Sequence, residues 1–117
     1  QQKFTVNRPN EVWVSDVTEF NVKCFIFYIC VIIDLYARKV VGYRISRSNN
    51  TKLIMNTFRE AYENRHPGNE LIFHSDNGTN YCSRVFMRYL KTLNVRQSFS
   101  RAHVPYDNSV AEAFLSI

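Results

Sequence analysis

The sequence predicts an α/β domain: a mixed five-stranded sheet with helices on its faces and the first three strands antiparallel. Three observations predict it. Three strand-like runs follow one another within the first 46 residues, joined by connections too short for a crossover, which is the pattern of an antiparallel meander. Two segments of helical period then alternate with two short apolar runs, and a strand reached through a helix can lie parallel to an earlier one. With 117 residues, 45% hydrophobic and 15% aromatic, the chain is long enough for one core and too apolar for disorder.

Taken in order, residues 1–10 are polar, carry Pro9 and read as an entry segment or linker, which leaves residues 11–117 as one domain. Residues 11–20 (EVWVSDVTEF) alternate and are rich in Val, Trp and Phe, the marks of a strand. Residues 21–23 suit a tight connection. Residues 24–34 are apolar at almost every position, on both faces of a pleat, which predicts a strand buried on both sides and central in the sheet. Residues 35–38 turn the chain. Residues 39–46 (KVVGYRIS) form a third strand, with Val41, Tyr43 and Ile45 on one side and Arg44 on the other; Gly42 marks a bulge or a close approach.

Residues 48–51 (SNNT) supply helix N-caps, and Ile54, Phe58, Ala61, Tyr62 and Arg65 fall on one helical face that ends near Pro67-Gly68. Residues 70–75 (ELIFHS) are a fourth strand, and Asp76-Asn77-Gly78 a turn. Ser83 opens a helix that turns Phe86, Tyr89, Leu90 and Leu93 inward, with Arg84, Arg88 and Lys91 on another face. Residues 95–99 are a short fifth strand and residues 100–106 a loop. Asn108 or Ser109 then caps a last helix carrying Glu112.

The net charge of +5 and pI near 9.3 tilt toward an acidic partner, of which nucleic acid is the commonest. Cys24 and Cys30 lie six residues apart on one strand, roughly 20 Å at strand rise, and cannot bridge each other. They read as core thiols of a reducing interior. His66, His74, His103 and Cys82 show no zinc-type spacing. The most apolar run, residues 24–33, is far too short to cross a bilayer, and the polar start is no signal peptide. The chain does not begin with Met and ends five residues past Glu112, so it reads as a piece of a longer protein.

Three acids stand out. Asp16 lies within an apolar strand, Asp76 ends the fourth strand and Glu112 sits in the first turn of the last helix, with thirty-five residues between the latter two. Brought together they would repel and raise one another's pKa values, and a hard divalent cation resolves that. Two such ions about 4 Å apart can stabilise the attacking and leaving oxygens of an in-line phosphoryl displacement. Each acid also has a plainer reading. Asp76 before Asn77-Gly78 is a turn residue, Ser109 and Glu112 make a capping box, and Asp16 can be an acid at a strand edge.

The strings Trp13-Val14-Ser15-Asp16-Val17-Thr18, His74-Ser75-Asp76-Asn77-Gly78 and Tyr106-Asp107-Asn108-Ser109-Val110-Ala111-Glu112 occur in order and at that spacing. In this the chain resembles, over nearly its whole length, the catalytic core of retroviral-type integrases and bacterial insertion-sequence transposases, the DDE recombinases. The Tyr-Asp-Asn string is similar to the insertion-sequence branch. The resemblance implies a ribonuclease H-like fold, cut short here at the C-terminus, with Asp16, Asp76 and Glu112 as catalytic residues and metal ligands. It implies Mg²⁺ or Mn²⁺ as cofactor, bound as two ions. It also implies two reactions at one site: water frees a 3′-hydroxyl at the element end, and that hydroxyl attacks target DNA. The implied partners are element-end and target DNA and further copies of the chain, with no membrane, in a bacterial, cytoplasmic, nucleoid-associated setting. One departure is that His103-Val104 stands where insertion-sequence members usually carry Gly-Asn, which stiffens a loop that moves on DNA binding.

Residues for DNA contact are Asn77, Asn80, Arg84, Arg88, Lys91, Arg101, Tyr106 and Asn108; the plainer readings are loop caps for the asparagines, packing for Tyr106 and a solvated helix face for the cations. His74 alternates with Asp76 and is either beside the metal or a satisfied core group. Asp34 reads as a turn residue. Two other functions remain open: a ribonuclease H or junction-type nuclease of the same fold, and a catalytically inert DNA- or protein-binding module derived from such a core.

Overall fold

The computed structural model describes residues 4–100. Five strands and two helices follow in the order β1 (Val12–Val22), β2 (Phe25–Asp34), β3 (Lys39–Ser46), α1 (Thr51–Arg65), β4 (Ile72–Asp76), α2 (Arg84–Thr92) and β5 (Arg96–Ser100). The strands form one sheet in the order β3-β2-β1-β4-β5. The first three are antiparallel, and β4 joins β1, and β5 joins β4, in parallel. This is the mixed sheet that the sequence predicts. The expected last helix with Glu112, and with it Arg101, Tyr106 and Asn108, lies outside the described residues.

Local signals set the boundaries. The β1–β2 hairpin is tighter than residues 21–23 suggested: β1 continues to Val22, and Lys23 turns the chain at φ 55°. The Asn50 side chain caps α1 by accepting from the Leu53 N–H at 3.0 Å, and His66 ends it in the left-handed region at φ 50°. Ser83 caps α2 by accepting from the Phe86 N–H at 3.3 Å.

α1 and α2 cover one face of the sheet. Phe58 on α1 is the hub of that core, its ring 5.8 Å from Trp13, 5.3 Å from Phe73 and 6.0 Å from both Phe86 and Tyr89. Truncating such a ring costs about 3–5 kcal/mol. A second cluster on the other face joins Val12, Val14, Ile29, Val31 and Ile33, with Phe4 and Val6 of the entry segment packed against it.

Three local expectations change. The central strand is β1, not β2, because β4 pairs with β1; β2 is interior, but its first residues Phe25 and Ile26 are exposed. A shift of register between Ile32 and Ile33 lets Val41 bulge. Val41 therefore packs with the helix-side core, while Tyr43 and Ile45 stay exposed. Beside the bulge, a Cβ on Gly42 would stand 2.9 Å from Ala61 Cβ, so the close approach is real as well: only glycine lets α1 come down on β3. Finally, Cys24 is exposed and only Cys30 is a core thiol.

Candidate active site

The site is built on the parallel pair. Val12, Trp13 and Val14 of β1 stand opposite Ile72, Phe73 and His74 of β4. That register ends at Val14 and His74, and the alternation of a pleat puts the next residue on the same side of each strand at Asp16 and Asp76. Both are half-buried. Antiparallel β2 flanks Asp16 with Val31, and β5 flanks Asp76 with Ser100. Two of the three acids singled out by the sequence thus stand on adjacent strands, each two residues beyond the last paired position.

Main-chain N–H groups orient each carboxylate. Val17 donates to Asp16 Oδ1 at 2.9 Å, and Gly78 donates to Asp76 Oδ1 at 2.7 Å, which leaves Asp76 Oδ2 for a ligand. A Cβ on Gly78 would stand 2.8 Å from Asp76 Oδ1, so the turn closes this tightly over the acid because residue 78 has no side chain. A carboxylate with one oxygen held by the main chain, as at Asp76, is an oxygen donor of the kind that fits a hard divalent cation that keeps some of its waters. Among the described residues no group of three His, Cys, Asp or Glu comes together; Glu112 is not among them.

Asp76 borders a cleft of about 430 Å³ with Val17, Asn49, Ile54, Gly78, Asn80 and Tyr81 among its walls. Asn80 accepts from Thr51 Oγ1 at 3.3 Å and donates to Asn49 Oδ1 at 3.0 Å, fastening the loop after β4 to the start of α1. Asn77 is exposed, and the Cys82 thiol lies 3.6 Å from its carbonyl oxygen. His74 is a core group: 1% exposed, with Nδ1 2.8 Å from Ser98 Oγ and its ring edge-on to Phe4. Burial pushes its pKa down.

Beneath the acids lies a buried polar cluster. Tyr81 is 3% exposed, and its hydroxyl lies 2.8 Å from Ser15 Oγ, which lies 3.7 Å from Cys30 Sγ. Burial drives the Tyr81 phenol well above its ordinary pKa, and the hydrogen bond to Ser15 offsets part of that rise. Sequence reasoning passed Tyr81 over, although an aromatic residue between Asn80 and Cys82 in a polar loop was a usable signal.

The cations Arg84, Arg88 and Lys91 are all exposed on α2. With Arg96 they border a groove of about 1030 Å³ whose walls also include Met87, Val95 and Phe99. Asp34, read as a turn residue, does hold the turn by accepting from Tyr36 N–H at 3.1 Å, and it is also sealed: 1% exposed and accepting from Asn10 N–H at 2.9 Å and Arg65 Nη2 at 3.4 Å.

Residues 6–105 match the family model described as integrase core domain. Among curated proteins, the chain is 36% identical over 113 residues to the transposase for insertion sequence element IS904 of Lactococcus lactis, covering 97% of this chain and 45% of that protein. It is also 36% identical to the putative transposase InsK for insertion sequence element IS150 of Escherichia coli, covering 97% of this chain and 40% of that protein. The chain thus spans less than half the length of these relatives. Among solved structures, the simian T-cell lymphotropic virus intasome in complex with PP2A regulatory subunit B56 gamma is similar at a TM-score of 0.79 and 20% identity, covering 93% of this chain and 38% of that one. The HTLV-2 integrase catalytic core domain in complex with magnesium (dimeric form) is similar at 0.70 and 17% identity, covering 92% and 84%. These two show the same ribonuclease H-like fold.

Proposed function

Because this chain belongs to the integrase core domain family, we propose that residues 11–117 are the catalytic core of a DNA transposase, a polynucleotidyl transferase that holds divalent metal on Asp16, Asp76 and Glu112. The observation that supports the reading is the parallel β1–β4 pairing, which ends two residues before Asp16 on one strand and Asp76 on the other. The curated relatives named as insertion-sequence transposases support the substrate class, and the magnesium complex of the HTLV-2 core supports the metal.

Bound Mg²⁺ or Mn²⁺, as a pair of ions, would supply Lewis acidity to the phosphate and a more acidic bound water. The chain's own part is positioning. Val17 and Gly78 N–H groups hold one oxygen of Asp16 and Asp76, so the acids need little reorganisation when substrate arrives. At the element end, a water oxygen forms a bond to phosphorus as the bond to the 3′-oxygen breaks, and the departing oxygen takes a proton to become a 3′-hydroxyl. That hydroxyl then loses its proton and attacks a target phosphodiester, releasing the target's own 3′-oxygen. Each displacement exchanges one phosphorus–oxygen bond for another, so no energy cofactor is needed.

DNA lies along the cleft beside Asp76, with Asn77 and Asn80 near its phosphates and Arg84, Arg88 and Lys91 neutralising more distant ones. Arg101, Tyr106 and Asn108 are assigned to the same path from the sequence. Two DNA ends must meet one target, which calls for a multimer of the full protein acting on bacterial DNA. The test is strand transfer by the full-length protein on element-end DNA. Asp16→Asn, Asp76→Asn and Glu112→Gln should each abolish product while circular dichroism stays as in the wild type. Normal product from any of the three rejects the assignment, and cleavage of an RNA–DNA hybrid in place of strand transfer would favour a nuclease of the same fold.

A further inference from the structure

The backbone ladder between β1 and β4 stops at Val14 and His74, two residues short of the acids, although β1 runs on to Val22 and β4 to Asp76. Something other than that ladder must fix the spacing of Asp16 and Asp76. The residue placed to do so is Tyr81. Its ring is wedged between Phe73 and Phe86, with centroids 6.1 and 6.3 Å away, so the phenol has one direction to point. Its hydroxyl meets Ser15, the neighbour of Asp16 in the chain, at 2.8 Å. Its carbonyl accepts from Gln97 Nε2 of β5 at 3.1 Å. Between Asp76 and Tyr81 the loop is closed by Gly78 N–H on Asp76, and Cys82 N–H returns to the Gly78 carbonyl at 3.1 Å. One buried side chain therefore ties the strand carrying the first acid to the loop that follows the second.

We propose that Tyr81 is a positioning residue that, through its hydrogen bond to Ser15, holds Asp16 and Asp76 at the separation at which they share a divalent cation. The proposal rests on the metal-binding reading of the acid pair. Tyr81 touches no metal in this scheme; it acts through Ser15 on one side and the 76–81 loop on the other. A core tyrosine with no such role would contribute packing alone, and its hydroxyl would be dispensable to metal binding.

The experiment uses Mn²⁺ as probe, titrated by calorimetry into the full-length protein, with the melting temperature of each variant measured free of metal. Tyr81→Phe keeps the ring and removes the bond; Ser15→Ala removes the same bond from the other side. Each should weaken Mn²⁺ binding by about tenfold or more, the usual effect of removing a group that orients a ligand. The double variant should lose no more than the stronger single one, since both cut one interaction. Leu90→Val, a core truncation on α2, should lower the melting temperature and leave Mn²⁺ affinity as it was. Unchanged affinity in Tyr81→Phe or in Ser15→Ala, with wild-type binding abolished by Asp16→Asn, overturns the role of Tyr81 and leaves the metal site standing. Equal weakening in Leu90→Val also overturns it, because general softening would then account for the loss. Wild-type binding that survives Asp16→Asn overturns the metal site and the proposal together.

Discussion

Asp34 and Asp76 each end a strand on a carboxylate, and their surroundings are opposite. Asp34 closes β2 at 1% exposure, with two main-chain N–H groups and Arg65 filling its lone pairs. Asn10 completes that corner by accepting from Trp13 Nε1 at 3.1 Å and Arg65 Nε at 3.2 Å. Asp76 closes β4 at the wall of an open cleft, and one N–H, from Gly78, holds one of its oxygens. A carboxylate saturated by protein donors locks chain segments together; one held at a single oxygen keeps capacity for a ligand. The same residue type at the same place in a strand is structural in one corner and a candidate ligand in the other.

The largest effect should come from Asp34→Ala. It leaves Arg65 and two N–H groups without their acceptor, and a loss of about 3–5 kcal/mol is expected in urea denaturation. Asp76→Asn retains an oxygen for Gly78 and should change stability by less than about 1 kcal/mol while removing strand transfer. Similar stability losses in the two variants would erase the contrast.

A pair of glycines sharpens it. Added carbon at Gly42 meets Ala61 Cβ and the Thr57 carbonyl, neither of which can swing away. Gly42→Val should therefore cost about 1–3 kcal/mol. Added carbon at Gly78 meets the Asp76 carboxylate, which can rotate. Gly78→Ala should leave stability within about 1 kcal/mol yet weaken Mn²⁺ binding, because the group that yields is the candidate ligand. A Gly78→Ala protein with normal Mn²⁺ affinity would show that the tight turn is incidental.

The smallest effect is expected on the exposed face of α2. Arg88→Gln should leave folding intact and reduce the slope of log affinity for DNA against log salt by about 0.9, the share of a single neutralised phosphate. An unchanged slope would make this face a solvated one and confine DNA to the cleft.

The elements were largely legible because period and caps are local: β3 falls at residues 39–46 as the pattern predicts, and Ser83 opens α2. Asp16 and Asp76 stood out through the strings around them and their order in the chain, since each acid alone has an ordinary reading at a strand edge or in a turn. Asp34 was legible as a turn residue, but its burial and its pairing with Arg65, thirty-one positions on, were not. Tyr81 was missed because its partner Ser15 is sixty-six residues away.

What the sequence determined by itself was the set of elements, the three strings that place the chain in its family, and the basic surface. Each depends on neighbours within a few positions or on chemistry that a residue carries anywhere. The tertiary structure decided which strand is central, which acid is sealed and which faces a cleft, and that Tyr81 meets Ser15. Those depend on strand order and on packing between distant segments, where a single hydrogen bond between Tyr81 and Ser15 changes the meaning of both.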